Sequence, residues 1–306
     1  MSETRRAVLA ALADGPVPGP KLADRLGISR AAVWKHVEAL RDAGFSVESG
    51  DEGYEITDVP DYGALAVEYG LDAPFSVEYH EALDSTNERA RELAADGETD
   101  VVVLADRQTA GRGRLDREWA SPTGGVWMSV LVRPALPAPR VPVLTLAAAV
   151  AVTEAVRELG VDAGIKWPND VLLDGEKLAG VLTEMEGEAD RVSWVVLGIG
   201  LNANVDAASL PEGATSLQAA VGEVDRRALV RRILDAFDDV RDDPDRALEL
   251  WREYADTLGR RVRVDTPSGA IEGEAVDVTD AGALVVDTDD GRETVHAGDC
   301  EHLRPT

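Results

Sequence analysis

Lysine is nearly missing from this 306-residue chain: Lys21, Lys35, Lys166 and Lys177 are the only four among 31 basic residues, set against 58 acidic ones. Cysteine is rarer still. With Cys300 alone, no internal disulfide can form, and a reducing cytoplasm is the expected compartment. No apolar run reaches the roughly 20 residues of a membrane span. The longest, 141–156, is interrupted by Pro142 and Thr145, so no membrane partner is expected. The N-terminal Met-Ser-Glu-Thr-Arg-Arg has no signal-peptide core. There is no zinc-ligand cluster, hence no expected protein-held metal, and no GxxxxGK[ST] phosphate loop. Together these absences exclude a disulfide scaffold, a membrane protein, a zinc module and a Walker-type nucleotidase.

What is present is negative charge. The formal net charge is −27, with 44% hydrophobic residues, enough to build the cores of two or three domains. So acidic a surface suits a high-salt cytoplasm and opposes contact with phosphate backbones. Residues 1–60 are the exception, with seven basic and ten acidic side chains, net −3, leaving −24 for the remainder. The first segment is therefore the least hostile to nucleic acid.

Two of the scarce lysines sit together in Lys166-Trp-Pro-Asn-Asp170 and Lys177-Leu-Ala-Gly180. An ammonium group neutralises phosphate or carboxylate as a point charge, where arginine imposes a planar fork. A second segment, Gln108-Thr-Ala-Gly111-Arg-Gly-Arg114-Leu-Asp-Arg117-Glu-Trp119, alternates glycine with arginine between two apolar runs. Glycines let backbone N–H groups approach an anion and the arginines add forked donors, so the loop reads as an anion site. Ser85-Thr86-Asn87 precedes a helical pattern at 88–95, where hydroxyl and amide groups cap a helix or bind a ligand. Gly198-Ile-Gly200-Leu-Asn-Ala203 satisfies the dinucleotide pattern GxGxxA, but Asn202, Asn204, Asp206 and Pro211 predict a loop where that fingerprint needs a helix.

The periodicities divide the chain into four segments. In 1–58, three helical patterns (3–13, 22–26 and 30–43) precede a hairpin around Gly50-Asp-Glu-Gly53, predicting a winged helix-turn-helix domain. Ser29 is its expected N-cap, and Ser29, Arg30, Trp34 and Lys35 are its expected DNA-facing residues. A bundle for protein contacts stays open, since Asp51 and Glu52 occupy the wing. Residues 59–74 read as a linker containing a short helix. In 75–258, strands at 101–105, 126–133, 164–167, either side of Gly175 and at 192–199 mix irregularly with helices at 88–95, 143–159, 226–241 and 244–257, predicting an α+β domain with a mixed sheet. In 259–306, short strands between Pro-Ser-Gly, Thr-Asp-Ala-Gly and Asp-Asp-Gly turns predict a small β-barrel.

Ser85-Thr86-Asn87, Gln108 with Gly111-Arg-Gly-Arg114, Trp119, Lys166-Trp-Pro-Asn-Asp170, Lys177-Leu-Ala-Gly180 and Gly198-Ile-Gly-Leu-Asn202-Ala-Asn204 resemble, in order and spacing, the catalytic domain of the biotin protein ligases. Residues 1–57 resemble the DNA-binding domain of that family's bifunctional members, the biotin operon repressors, and the resemblance makes the small barrel of 259–306 an SH3-like β-barrel. The resemblance implies a biotin–[acetyl-CoA-carboxylase] ligase that uses ATP, biotin and Mg²⁺. Its implied partners are a biotin carboxyl carrier protein or domain, operator DNA and a second copy of itself. It also implies residue roles. Arg112, Gly113 and Arg114 fold over biotin and the adenylate; Lys177 meets the carboxylate and α-phosphate, supported by Lys166. Ser85, Thr86, Asn87 and Gln108 bind the ureido ring, and Trp119 encloses the apolar part. Asn169 and Asn202 join the nucleotide side, and Asp170 orients or deprotonates the acceptor lysine. One position departs: Asp116 stands where the family usually has glycine. A biotin-sensing regulator without ligase activity and a lipoate protein ligase are the alternative readings.

Overall fold

The computed structural model describes residues 3–188 and 191–303, with the side chains of Glu3, Asp116 and Glu188 outside that description. The chain divides into two compact units, 1–72 and 73–306.

The first unit comprises α1 (Glu3–Ala13), α2 (Gly19–Leu26), α3 (Arg30–Asp42), the antiparallel hairpin β1 (Ser46–Gly50) and β2 (Gly53–Asp58), and α4 (Ala64–Glu68). Gly27 ends α2 in the left-handed conformation, φ 63°, and the Ser29 hydroxyl then caps α3 by accepting from the Ala32 N–H at 3.1 Å. Val33, Val37 and Leu40, at helical spacing, bury one face of α3 against Val8, Leu9, Leu12 and Leu22. Arg41 is spent on structure, since its guanidinium donates to the Val47 carbonyl and clamps the hairpin to α3. Gly53 has φ 121° and sits so close to the Val17 backbone that a Cβ would lie 2.2 Å from it. Only glycine fits there. Residues after β2 also pack on this core: Tyr69 meets the Phe45 ring edge-on at 6.2 Å, and Arg6 pairs with Glu68 at 2.9 Å.

The second unit contains β3 (Ser76–His80), α5 (Thr86–Ala95), β4 (Val101–Ala105), β5 (Val126–Val132), α6 (Pro142–Arg157), β6 (Ala163–Lys166), β7 (Asp170–Leu173), β8 (Glu176–Glu188), β9 (Arg191–Leu201), α7 (Leu217–Val221), α8 (Arg226–Arg241) and α9 (Pro244–Tyr254). Seven strands form one sheet in the order β3-β4-β5-β9-β8-β7-β6, with β3 and β4 parallel and the other pairs antiparallel. The expected mixed sheet is present. β4 and β5 are buried at every position, which is why they read as unbroken apolar runs. Ala90, Leu93 and Ala94 of α5 pack on Val101, Val103, Leu131 and Val196. The stretch Ala138–Arg157 has the length and hydropathy of a membrane span, but 72% of its apolar window is buried, as befits a core helix lying against the sheet, α8 and α9.

The last elements are β10 (Arg261–Thr266), β11 (Gly269–Val278), β12 (Leu284–Thr288), β13 (Gly291–Val295) and β14 (Asp299–His302), an antiparallel sheet ordered β13-β12-β11-β10-β14. This is the arrangement expected of a small SH3-like module. Cys300 on β14 is buried, and burial pushes its thiol up to about 12, leaving it inert.

Three expectations need correction. β3 and β14 were not anticipated, because Ser-Val-Glu-Tyr-His and Asp-Cys-Glu-His each bury a single side chain and gain strand character from a neighbour far away in sequence. β9 also runs on through Gly198–Leu201, so the loop begins only at Asn202. No helix opens there, consistent with the rejection of a dinucleotide fold.

Candidate active site

The turn between β6 and β7 is the most firmly anchored part of the site. Trp167 is fully buried, its indole N–H donating to the Gly282 carbonyl at 3.0 Å and its backbone N–H to Thr257 Oγ1 at 2.9 Å. The Trp167–Pro168 peptide is cis. Strand register places Lys166 opposite Asp170, and Lys177 arrives from β8 next door. Lys177 Nζ lies 2.6 Å from Asp170 Oδ1 and Lys166 Nζ 3.3 Å from Oδ2. One carboxylate thus holds both ammonium groups, with the Trp119 ring 5.0 Å from that of Lys177.

The glycine–arginine loop closes over this centre. Gly113 N–H donates to the Arg117 carbonyl at 2.7 Å, and Trp119 N–H to the Gly111 carbonyl at 2.9 Å, which folds the loop back on itself. The Arg114 guanidinium donates to Asn169 Oδ1 at 2.9 Å and to the Gly298 carbonyl at 2.7 Å. Burial pushes its pKa down from the ordinary arginine value, while the carboxylates of Asp299 and Asp170 pull it back up. Arg117 pairs with Asp299, and Arg112 is exposed with no side-chain partner among the described residues. Leu115 holds a left-handed conformation, φ 56°, with its side chain 73% exposed. The Asp116 side chain falls outside the described residues.

A polar wall faces the loop. Ser85 caps α5, accepting from the Glu88 N–H at 3.4 Å. Gln108 Oε1 accepts from the Thr86 N–H at 2.7 Å, and Gln108 Nε2 donates to Ser121 Oγ at 2.9 Å. The glycines of β9 make the floor. A Cβ on Gly198 would lie 2.2 Å from Asn87 Oδ1, and one on Gly200 would lie 2.6 Å from Trp119 Nε1. The motif that imitates a dinucleotide fingerprint is therefore a strand stripped of side chains so that others can lie across it.

Ser85, Thr86, Asn87, Gln108, Arg112, Gly113, Arg114, Trp119, Asn169, Asp170 and Lys177 all line one cleft of about 710 Å³, counting its part open to solvent. Lys166 stands behind Asp170 and does not line the cleft. Asn202 also stays out of it, being buried with its amide donating to the Thr215 carbonyl at 2.9 Å. In the first unit, Ser29, Arg30, Trp34 and Lys35 are exposed together on α3, Trp34 at 54%. Sequence reasoning missed Ser129, Glu184 and Asp299. Ser129 carried a usable signal, as the one hydroxyl inside the apolar run of β5; the other two carried none.

A cleft that pairs an arginine loop with a lysine held by a carboxylate is suited to activating a carboxylate substrate, and residues 79–202 match the Biotin/lipoate A/B protein ligase family. Residues 257–303 match the Biotin protein ligase C terminal domain, and residues 4–55 an HTH domain. The chain is 40% identical to the bifunctional ligase/repressor BirA of Bacillus subtilis, over 93% of each chain, and 30% identical to that of Escherichia coli, over 92% of each. Among solved structures, the biotin protein ligase from Aquifex aeolicus in complex with biotin and ATP superposes with a TM-score of 0.65 at 27% identity, covering 74% of this chain and 99% of that one. The chain belongs to the family of bifunctional biotin ligase/repressors.

Proposed function

We propose that this protein condenses biotin with ATP to biotinyl-5′-AMP and pyrophosphate, then transfers biotin to a lysine of a carboxyl carrier domain, and that its first unit represses transcription at an operator. The observation that carries the ligase reading is the carboxylate of Asp170 holding Lys177 in the cleft that the arginine loop lines, with Lys166 on its other oxygen. An amide does not form usefully from a carboxylate and a protonated amine, so the carboxylate is first activated. Its attack on the α-phosphorus brings two anions together, and catalysis becomes neutralisation and alignment. Lys177 and Arg112 supply charge at the reacting centre. Arg114, already tied to Asn169, sets the nucleotide side, and Trp119 lies along the apolar part of biotin. Asp170 keeps Lys177 in place and orients the acceptor amine. Magnesium enters as MgATP; among the described residues no cluster of acidic, histidine or cysteine groups holds an ion.

Incubation in molar potassium chloride with MgATP and biotin, followed by mass spectrometry, tests this reading. Biotinyl-5′-AMP is expected. Its absence from folded, biotin-binding protein leaves a biotin-sensing regulator, and adenylation of lipoate instead of biotin makes the enzyme a lipoate ligase. Gly200→Ala is expected to raise the biotin Kd about 10- to 100-fold, because the new methyl displaces Trp119. Calorimetric titration with biotin checks it, and an unchanged Kd removes Trp119 from the biotin site.

For the first unit, the face formed by Arg30, Trp34 and Lys35 reads DNA, and the acidic wing contributes nothing to phosphate contact. Arg30→Ala and Lys35→Ala should each reduce the slope of log K against log salt by about one, while Trp34→Ala weakens binding at unchanged slope. Fluorescence anisotropy with a duplex enriched from a random library measures this, and equal slopes for all variants would remove the two cations from the interface. Dimerisation on operator DNA and a cytoplasmic location complete the proposal.

A further inference from the structure

Beneath the polar wall of the cleft runs a chain of hydrogen bonds that ends on a carboxylate no motif pointed to. Glu184, on β8, accepts from Asn87 Nδ2 at 2.7 Å. An ionised carboxylate only accepts, so this contact fixes which end of the Asn87 amide is nitrogen. Asn87 Oδ1 therefore faces Ser129, whose hydroxyl donates to it at 2.6 Å. Ser129 is fully buried and spends its one hydroxyl hydrogen on Asn87; Thr86 Oγ1, 2.8 Å from Ser129 Oγ, also lies 3.1 Å from Gln108 Oε1, an acceptor for its own single hydrogen. The order Ser129 to Asn87 to Glu184 points both hydrogens the same way, toward the charge. Such chains polarise each link.

We infer that Glu184 is a positioning residue for biotin: it acts through Asn87, locking the amide so that Asn87 Nδ2 and Gln108 Nε2 each keep one hydrogen for the ureido carbonyl. The inference rests on the biotin ligase reading. Asn87 and Gln108 both line the cleft, and each has one amide hydrogen committed, to Glu184 and to Ser121. Without Glu184 only the Ser129 hydroxyl, which accepts as readily as it donates, holds the Asn87 amide, so the amide can turn over and set its own oxygen against that of the ureido group. Gly198 offers no resistance to the turn, having no side chain beneath the amide. Arg91 lies 3.5 Å from Glu184 Oε1, the carboxylate oxygen that does not bond Asn87.

The test is steady-state pyrophosphate release by the full-length protein in molar potassium chloride, with biotin and MgATP varied separately. Glu184→Leu is expected to raise KM for biotin about 10- to 100-fold, with kcat and KM for ATP changed less than about threefold. Glu184→Gln keeps an acceptor oxygen and should return KM for biotin to within about fivefold of wild type. Arg91→Ala should leave it unchanged. Glu184 is a third exposed, so these variants are expected to fold, which thermal melting verifies. The inference is overturned if Glu184→Leu leaves KM for biotin unchanged, or if it raises both KM values and lowers kcat together, or if Glu184→Gln is no better than Glu184→Leu. A wild-type enzyme that releases no biotin-dependent pyrophosphate overturns the ligase reading instead, a different result.

Discussion

Lys177→Ala is expected to slow biotinyl-5′-AMP formation by about 10²- to 10³-fold while leaving biotin binding within about tenfold of wild type. Lys177 Nζ is held by Asp170 at 2.6 Å and lies over the Trp119 ring, so its charge is placed before the substrate arrives. A preplaced charge acts on the charge that builds up in the transition state, and so its loss falls on kcat. Lys177→Arg should recover little of the rate, because a planar guanidinium cannot occupy the position of a compact ammonium between a carboxylate and an indole. Single-turnover measurement of adenylate from pre-bound biotin separates the chemical step from binding. If Lys177→Ala loses affinity for biotin and keeps its rate, the lysine is a binding residue and the assignment is wrong.

Trp167→Ala is expected to cost about 3–5 kcal/mol of unfolding free energy, and Trp167→Phe about 1–2 kcal/mol. The larger figure reflects a fully buried indole; the smaller combines loss of the bond from its N–H to the Gly282 carbonyl with the smaller volume of a phenyl ring. Because that bond joins the β6–β7 turn to the β11–β12 connection, Trp167→Phe should also lower adenylation by loosening Asn169 and Asp170. Urea unfolding at fixed potassium chloride, with activity measured on the folded protein, checks both parts. Identical stability and activity for Trp167→Phe and wild type would show that the bond to Gly282 contributes to neither.

Much of this could be read in one dimension. The winged helix-turn-helix pattern was legible because α3 repeats Val33, Val37 and Leu40 at helical spacing and is flanked by Gly27 and Ser29, which carry their own backbone chemistry. β4 and β5 were legible as unbroken apolar runs. Most of the cleft was legible for a different reason. Its residues lie in short segments whose types are unusual for this chain, namely lysine where lysine is scarce and glycine alternating with arginine. β3 and β14 were not legible, since an edge strand with one buried side chain takes its identity from the strand beside it. Lys166 and Asn202 illustrate the same limit from the other side. The resemblance nominated both for the site; Lys166 stands behind Asp170, and the Asn202 amide is used on Thr215.

The sequence by itself determined the chemistry available to this protein: a lysine-poor acidic chain with two lysines and an arginine loop kept together, and a helix bearing cations ahead of them. Local periodicity and residue type carry that much, because they are properties of neighbours along the chain. Only the tertiary structure decided how those groups act. Asn87 and Trp119 lying across bare glycines, Arg114 bound to the Gly298 carbonyl just before β14 and Glu184 closing a line of hydrogen bonds all join segments far apart in sequence. Such contacts depend on register and burial in a seven-stranded sheet, and no run of consecutive residues encodes them.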